Sequence, residues 1–151
     1  MSKQTKVNKI LLAIDGSKAS LKAAEYAMTL ANQVNASVVI LHVISIPLFP
    51  RHFKSVNEYY EGAEKVAEAW FDVIKNLRQS KNLQIKTKII SGSISVVESI
   101  VDYAEKENVD MIIMGTRGRS KFTKLLGSVA SGVMMHAECP VLVVKKPAKR
   151  I

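Results

Sequence analysis

The residues of this chain best equipped for chemistry fall in one stretch, Met114-Gly115-Thr116-Arg117-Gly118-Arg119-Ser120-Lys121-Phe122-Thr123-Lys124-Leu125-Leu126-Gly127-Ser128-Val129. Gly115 and Gly118 stand three apart and let the backbone bend closely around a ligand, while Gly127-Ser128 opens a helix. The free N–H groups at a helix start, with the positive end of its dipole, make a ready site for an anion. Arg117, Arg119, Lys121 and Lys124 place cationic groups beside it. The chemistry indicated is the binding of phosphate. Taken singly, each element has a second reading: Gly115 would serve to end a strand, Gly127 to start a helix, and the basic residues to solvate a loop. The chain carries neither the Walker A pattern nor Gly-x-Gly-x-x-Gly, which disfavours the P-loop and dinucleotide readings.

Other chemistry finds little to build on. The single cysteine, Cys139, precludes an internal disulfide framework, and with three scattered histidines it gives no metal-ligand spacing. Cys139 precedes Pro140 and has no base near it in sequence, so it reads as a small packing residue rather than a nucleophile. His42 sits inside an apolar run and reads as a core or edge histidine. Met134 and Met135 read as packing the last helix, and Trp70 its own. No hydrolytic constellation emerges.

The elements that must position the glycine-rich stretch are set by periodicity. Ile10-Leu11-Leu12-Ala13-Ile14 is a continuous apolar run, as in a strand covered on both faces, and it ends at Asp15-Gly16-Ser17. Ser17 stands as an N-cap, and Leu21, Ala24, Met28, Ala31 and Asn35 recur at helical spacing beyond it. A second buried run spans 38–44, and Pro47 and Pro50 then break the chain into a loop. Ser55 and Glu58 form a capping box for a long helix with the stripe Tyr59, Ala63, Val66, Trp70, Val73 and Leu77, expected to face the sheet. Leu83, Ile85, Thr87 and Ile89 alternate with Gln84, Lys86 and Lys88, the pattern of an edge strand. Ser95 and Glu98 cap a third helix carrying Val97, Val101 and Ala104. Met111-Ile112-Ile113-Met114 is a fourth strand ending in Gly115, and a helix over roughly 128–137 leads to a fifth, Pro140-Val141-Leu142-Val143-Val144.

Strand and helix alternate five times, which defines a doubly wound five-stranded parallel α/β sheet with helices on both faces and right-handed crossovers. Such sheets take ligands beyond the carboxyl ends of their strands, where strand order reverses. With 151 residues, 48% of them hydrophobic, one domain over 1–151 is expected, with 1–8 and 146–151 as solvated, flexible tails. No apolar run approaches the roughly 18 residues of a membrane span, and the polar residues 1–8 lack the apolar block of a signal peptide, so a cytoplasmic location is expected. A net charge of +9 favours polyanions, but no aromatic-basic recognition motif accompanies it and nucleic acid is not the expected partner.

Residues 114–145, with Met-Gly-Thr-Arg-Gly-Arg-Ser, Leu-Leu-Gly-Ser-Val-Ala and Cys-Pro-Val-Leu-Val-Val-Lys, resemble the C-terminal signature of the universal stress protein family. Residues 9–20, with Ile-Leu-Leu-Ala-Ile-Asp-Gly-Ser, resemble its opening strand. The nucleotide-binding branch carries a glycine pattern that Gly115, Gly118 and Gly127-Ser128 match, except that eight residues (119–126) stand where the branch has one more. That departure bears on triphosphate geometry more than on adenosine.

The resemblance implies strand order 3-2-1-4-5 and an adenine nucleotide, ATP or ADP or AMP, held between the turns after strands one and four. Asp15 would then close on the ribose, backbone at Ala13 and Val43 would border the adenine, and Met114 would cover it. Gly115, Thr116, Arg117, Gly118 and Arg119 would line ribose and phosphates, and Ser128 with the N–H groups of Val129 and Ala130 would grip the terminal phosphates, accompanied by magnesium. The resemblance also implies a homodimer through Val141, Leu142, Val143 and Val144. The function expected is regulation in stress response by nucleotide occupancy, with no catalytic residue and at most slow ATP hydrolysis. The alternatives are a dimeric interaction protein of the same fold that binds no nucleotide, and a slow ATPase.

Overall fold

The computed structural model describes residues 5–47, 55–116 and 126–145. Its five strands are β1 (Lys9–Ala13), β2 (Ser37–Ser45), β3 (Ile85–Ser93), β4 (Met111–Gly115) and β5 (Val141–Val144). All pair in parallel in the order β3-β2-β1-β4-β5. The interior strands are the continuous apolar runs: Ile10, Leu11 and Leu12 of β1 are fully buried between β2 and β4. β3, with its outward lysines Lys86 and Lys88, takes one edge, as charge on alternate residues requires. β5 takes the other, its four residues each half-buried.

Helices α1 (Lys18–Val34), α2 (Val56–Lys75), α3 (Val96–Lys106) and α4 (Ser128–His136) cover both faces, and a 3₁₀ turn spans Arg78–Ser80. Against one face, Ile10, Leu12, Val38 and Ile40 meet Ala23, Ala24, Ala27, Met28 and Ala31 of α1 and Ala67, Phe71 and Ile74 of α2. Against the other, Leu11, Val39, Leu41 and Ile112 meet Ile100, Tyr103 and Ala104 of α3 and Ala130 and Val133 of α4. Alternate strand residues thus supply two cores from one sheet.

Three helices begin at the serines that mark them in sequence. The hydroxyl oxygens of Ser17, Ser55 and Ser95 accept from the N–H groups of Ser20, Glu58 and Glu98 at 3.1, 3.1 and 3.2 Å. α1 closes on Asn35 in the left-handed conformation (φ 57), one of the few non-glycine residues that enter it readily.

Two packing expectations are corrected. α2 buries Ala67, Phe71 and Ile74, with Trp70 and, just past the helix end, Leu77 partly buried, while Val66 and Val73 are 50% and 53% exposed. The helix has two apolar stripes, and the one set further round packs over β2 and β3. Met134 and Met135 of α4 are exposed rather than packed, Met135 at 79%. Of the expected tails, 1–4 and 146–151 lie outside the described residues; Val7 packs on the core, and the N–H of Asn8 donates to Asp110 Oδ2 at 2.8 Å.

Burial, and then Glu107 at the C-cap of α3, raises the Tyr103 phenol above its ordinary pKa. The folded chain therefore holds this proton more tightly than the unfolded chain does. The stability it contributes is complete below the ordinary tyrosine pKa of about 10 and is lost as pH climbs through the folded value. Melts between about pH 8 and about pH 11 will show a steeper fall in Tm for the parent chain than for Tyr103→Phe. Parallel curves would contradict the assignment.

Candidate functional site

The strand order turns back between β1 and β4: the chain runs outward through β2 to β3, then crosses to β4 and β5. Beyond the carboxyl ends of these two strands lies a cavity of about 370 Å³, within the range of small-molecule sites.

On the β1 side the wall is the turn into α1. Asp15 follows Ile14 at the strand end, and its Oδ1 accepts from the N–H of Ser17 at 2.9 Å. The Ser20 hydroxyl donates to the Ser17 carbonyl at 3.0 Å. The positive end of α1 is thus answered by the Asp15 carboxylate and the Ser17 hydroxyl oxygen. Gly16 makes the turn at φ +80, and a Cβ there would fall 2.1 Å from Trp70 Cζ2. Conformation and space both demand glycine. Gly16→Ala is expected to cost about 2 kcal/mol, lowering Tm by about 4–8 °C in a domain of this size; a melt unchanged within about 1 °C would contradict this.

On the β4 side the wall is the start of α4. The Thr116 N–H donates to the Val144 carbonyl at 3.1 Å, and the Gly127 N–H donates to the Thr116 carbonyl at 2.7 Å. These bonds bring the strand end and the helix start together across a ten-residue excursion, 117–126, of which 117–125 lie outside the described residues. Gly127 is the N-cap of α4 in extended conformation (φ −66, ψ 161), with no side-chain cap and no acidic residue in the first turn. Helix geometry leaves the N–H groups of Ser128, Val129 and Ala130 without intrahelical acceptors, the first such bond running from Ser131 to the Gly127 carbonyl. α1, α2 and α3 each have a serine oxygen at this position; α4 instead presents its open end to the cavity.

Ala13, Asp15, Val43, Met114, Gly115, Gly127, Ser128, Val129 and Ala130, singled out from the sequence, all line the cavity. Thr116 is buried just behind, bonded both ways through its backbone. Arg117, Gly118 and Arg119 lie outside the described residues. The wall also includes Ile14, Ser17, Ser20, Leu41, His42, Val96 and Ile100. Val96 and Ile100 come from α3 and carry no mark in sequence beyond helical apolar spacing. His42 was legible only as a histidine in an apolar run; its Nδ1 lies 2.7 Å from the Ile14 carbonyl oxygen and its ring meets Trp70 edge-on. The cavity thus joins apolar walls to one carboxylate and one uncapped helix end, a combination suited to an amphipathic anion. Among the described residues, no group of three or more His, Cys, Asp or Glu is placed to hold a metal. Cys139 lines a separate pocket with Val101, Asn108 and Val109, and burial pushes its thiol up.

The architecture defines a doubly wound α/β domain with a ligand-sized cavity at its topological switch point. The family model for the universal stress protein family matches residues 6–145. Universal stress protein MJ0531 of Methanocaldococcus jannaschii is 35% identical over 149 residues, covering 93% of this chain and 84% of the relative. The solved structure of MJ0577, a hypothetical protein given a structure-based assignment of biochemical function, superposes with a TM-score of 0.81 at 30% identity, over 95% of this chain and 99% of that one. This chain belongs to the universal stress protein family. The fold recurs at 21% identity (TM-score 0.64, 94% of this chain and all of the other) in a universal stress protein from Archaeoglobus fulgidus solved in complex with dAMP. No described helix is long and apolar enough to cross a membrane.

Proposed function

We propose that the cavity receives an adenine nucleotide, ATP or its shorter relatives ADP and AMP, and that the protein is a cytoplasmic regulatory module of stress response whose conformation or partner affinity follows occupancy. The observation that carries this reading is the uncapped start of α4 on the wall of a cavity that Asp15 borders from the β1 side. A phosphate needs convergent N–H donors and a positive dipole end, which Ser128, Val129 and Ala130 supply. A ribose needs a hydrogen-bond acceptor for its hydroxyls, which Asp15 supplies while one of its oxygens holds Ser17. A base needs flat apolar cover, for which Ala13, Val43 and Met114 stand at the strand ends. The dAMP complex of the Archaeoglobus relative lends support from within the fold. Arg117, Gly118 and Arg119, which lie outside the described residues, are proposed as phosphate-binding residues on the strength of the glycine-rich pattern alone.

Magnesium enters this reading with the phosphates, the Ser128 hydroxyl being the side-chain oxygen that the cradle offers. No residue is assigned to catalysis, and hydrolysis is expected to be slow at most. Sustained phosphate release that disappears in Asp15→Ala would overturn that part of the reading. Calorimetric titration with ATP, ADP and AMP in the presence of magnesium tests the whole, and absence of binding at millimolar nucleotide would overturn it.

One observation favours a second reading, an interaction protein that works through its dimer surface without nucleotide: the glycine-rich excursion is a residue shorter than the pattern it resembles. Both readings share a homodimer in which Val141, Leu142, Val143 and Val144 of the open edge β5 pair with a second copy. Light scattering that finds a monomer at micromolar concentration would remove the dimer.

A further inference from the structure

We infer that His42 and Trp70 are positioning residues for the candidate site: together they hold the β1–α1 turn in the shape that presents Asp15 to the cavity, and they link that turn to α2. The pairing of β1 with β2 ends at Ala13 with Leu41. One last ladder bond runs from the Ile14 N–H to the Leu41 carbonyl at 2.9 Å. Beyond that point the His42 side chain takes over. Its Nδ1 lies 2.7 Å from the Ile14 carbonyl oxygen, and because a carbonyl can only accept, Nδ1 carries the hydrogen. Both the charged ring and the neutral Nδ1–H tautomer supply that donor. The carbonyl belongs to the peptide unit that leads into Asp15, so this bond sets the plane from which the carboxylate departs.

Trp70 secures the other side of the same turn. Its ring stands edge-on to His42, with centroids 5.1 Å apart and planes at 89°. The same indole lies so close to Gly16 that a Cβ there would sit 2.4 Å from Cε2 and 2.6 Å from Cη2. One side chain of α2 therefore braces the histidine and fills the space that Gly16 leaves by having no side chain. Residues 14–17 are held at three successive points: the Ile14 carbonyl by His42, Gly16 by Trp70, and the Asp15 carboxylate by the Ser17 N–H. A ligand that engages Asp15 pulls on a turn whose far contact is α2.

The affinity part of this inference rests on the nucleotide reading above; the structural part does not. In the ligand-free protein, amide exchange at the Ser17 N–H reports whether the turn is held. His42→Leu and Trp70→Leu are expected to speed that exchange by more than they speed exchange of the core amide of Ile113, whereas His42→Asn, whose amide can donate in place of Nδ1, keeps it slow. Titration with AMP is expected to show about tenfold weaker binding in His42→Leu and near-parent binding in His42→Asn. Inorganic triphosphate, which has no ribose, should bind all of these alike. Trp70 is the only tryptophan of the chain, so its emission is expected to change as AMP saturates the parent protein. Unaltered Ser17 exchange in His42→Leu, parent-like AMP affinity in that variant, or equal losses in the leucine and asparagine variants would each overturn the positioning role. Binding without any change in emission would overturn the link to α2. If the parent chain binds no nucleotide, the nucleotide reading fails, and Ser17 exchange alone decides whether the turn is pinned.

Discussion

Gly127→Val will fold as the parent chain does and lose its affinity for ATP and AMP by about 100-fold or more. The backbone at this position is extended (φ −66, ψ 161), a conformation open to any residue, so valine introduces no backbone strain. Its branched side chain would stand beside the N–H groups of Ser128, Val129 and Ala130, on the wall where the proposed phosphate lies. Hydrogen bonds to a charged group contribute about 1.5–3 kcal/mol each, and blocking two of them gives a loss of about 3 kcal/mol or more. The check is calorimetry beside a melt. Retained affinity would show that the start of α4 is not the anion cradle; lost affinity with a collapsed melt would show that Gly127 serves the fold instead.

Gly115→Val will have the largest effect on stability. Gly115 ends β4 directly against the first turn of α1: a Cβ would lie 2.8 Å from the Ala19 carbonyl carbon, 2.9 Å from its Cβ and 3.0 Å from its oxygen. Backbone cannot step aside as the end of a flexible side chain can, and Ala19 is itself buried. Overpacking here is expected to cost about 3 kcal/mol and to lower Tm by about 6–12 °C. A variant melting within about 1 °C of the parent would contradict the close approach of β4 and α1. The same approach sets Asp15 and the end of β4 at one cavity, so the variant should also weaken nucleotide binding.

The contrast between these two glycines shows what sequence could carry. Gly115 and Gly127 were legible as bends at the carboxyl end of β4 and the start of α4, because a continuous apolar run stops at one and a helix opens at the other. Their separate duties were not, since the crowding of Gly115 by Ala19 is a contact across 96 positions of chain. Asp15 was legible as the polar residue ending a buried run, and Ser17, Ser55 and Ser95 as caps, because capping is local chemistry. The lysines of β3 marked an edge, but periodicity cannot order strands; the order 3-2-1-4-5 came from family resemblance and is the order observed. α2 misled for a specific reason. Val66 and Val73 continue an apolar spacing as regular as that of Ala67, Phe71 and Ile74, and only the sheet decides which stripe is covered. His42 was undervalued for a related reason: its acceptor, Ile14, and its aromatic neighbour, Trp70, lie 28 residues on either side of it.

The most direct measurement is an amide-resolved NMR titration of the parent protein with AMP and then ATP. The N–H signals of Ser128, Val129 and Ala130 are expected to move downfield on binding, as charge-assisted donors do, together with those of the Asp15–Gly16–Ser17 turn, while amides of the outer edge β3 stay in place. Saturable binding that leaves the α4 amides unmoved would contradict this.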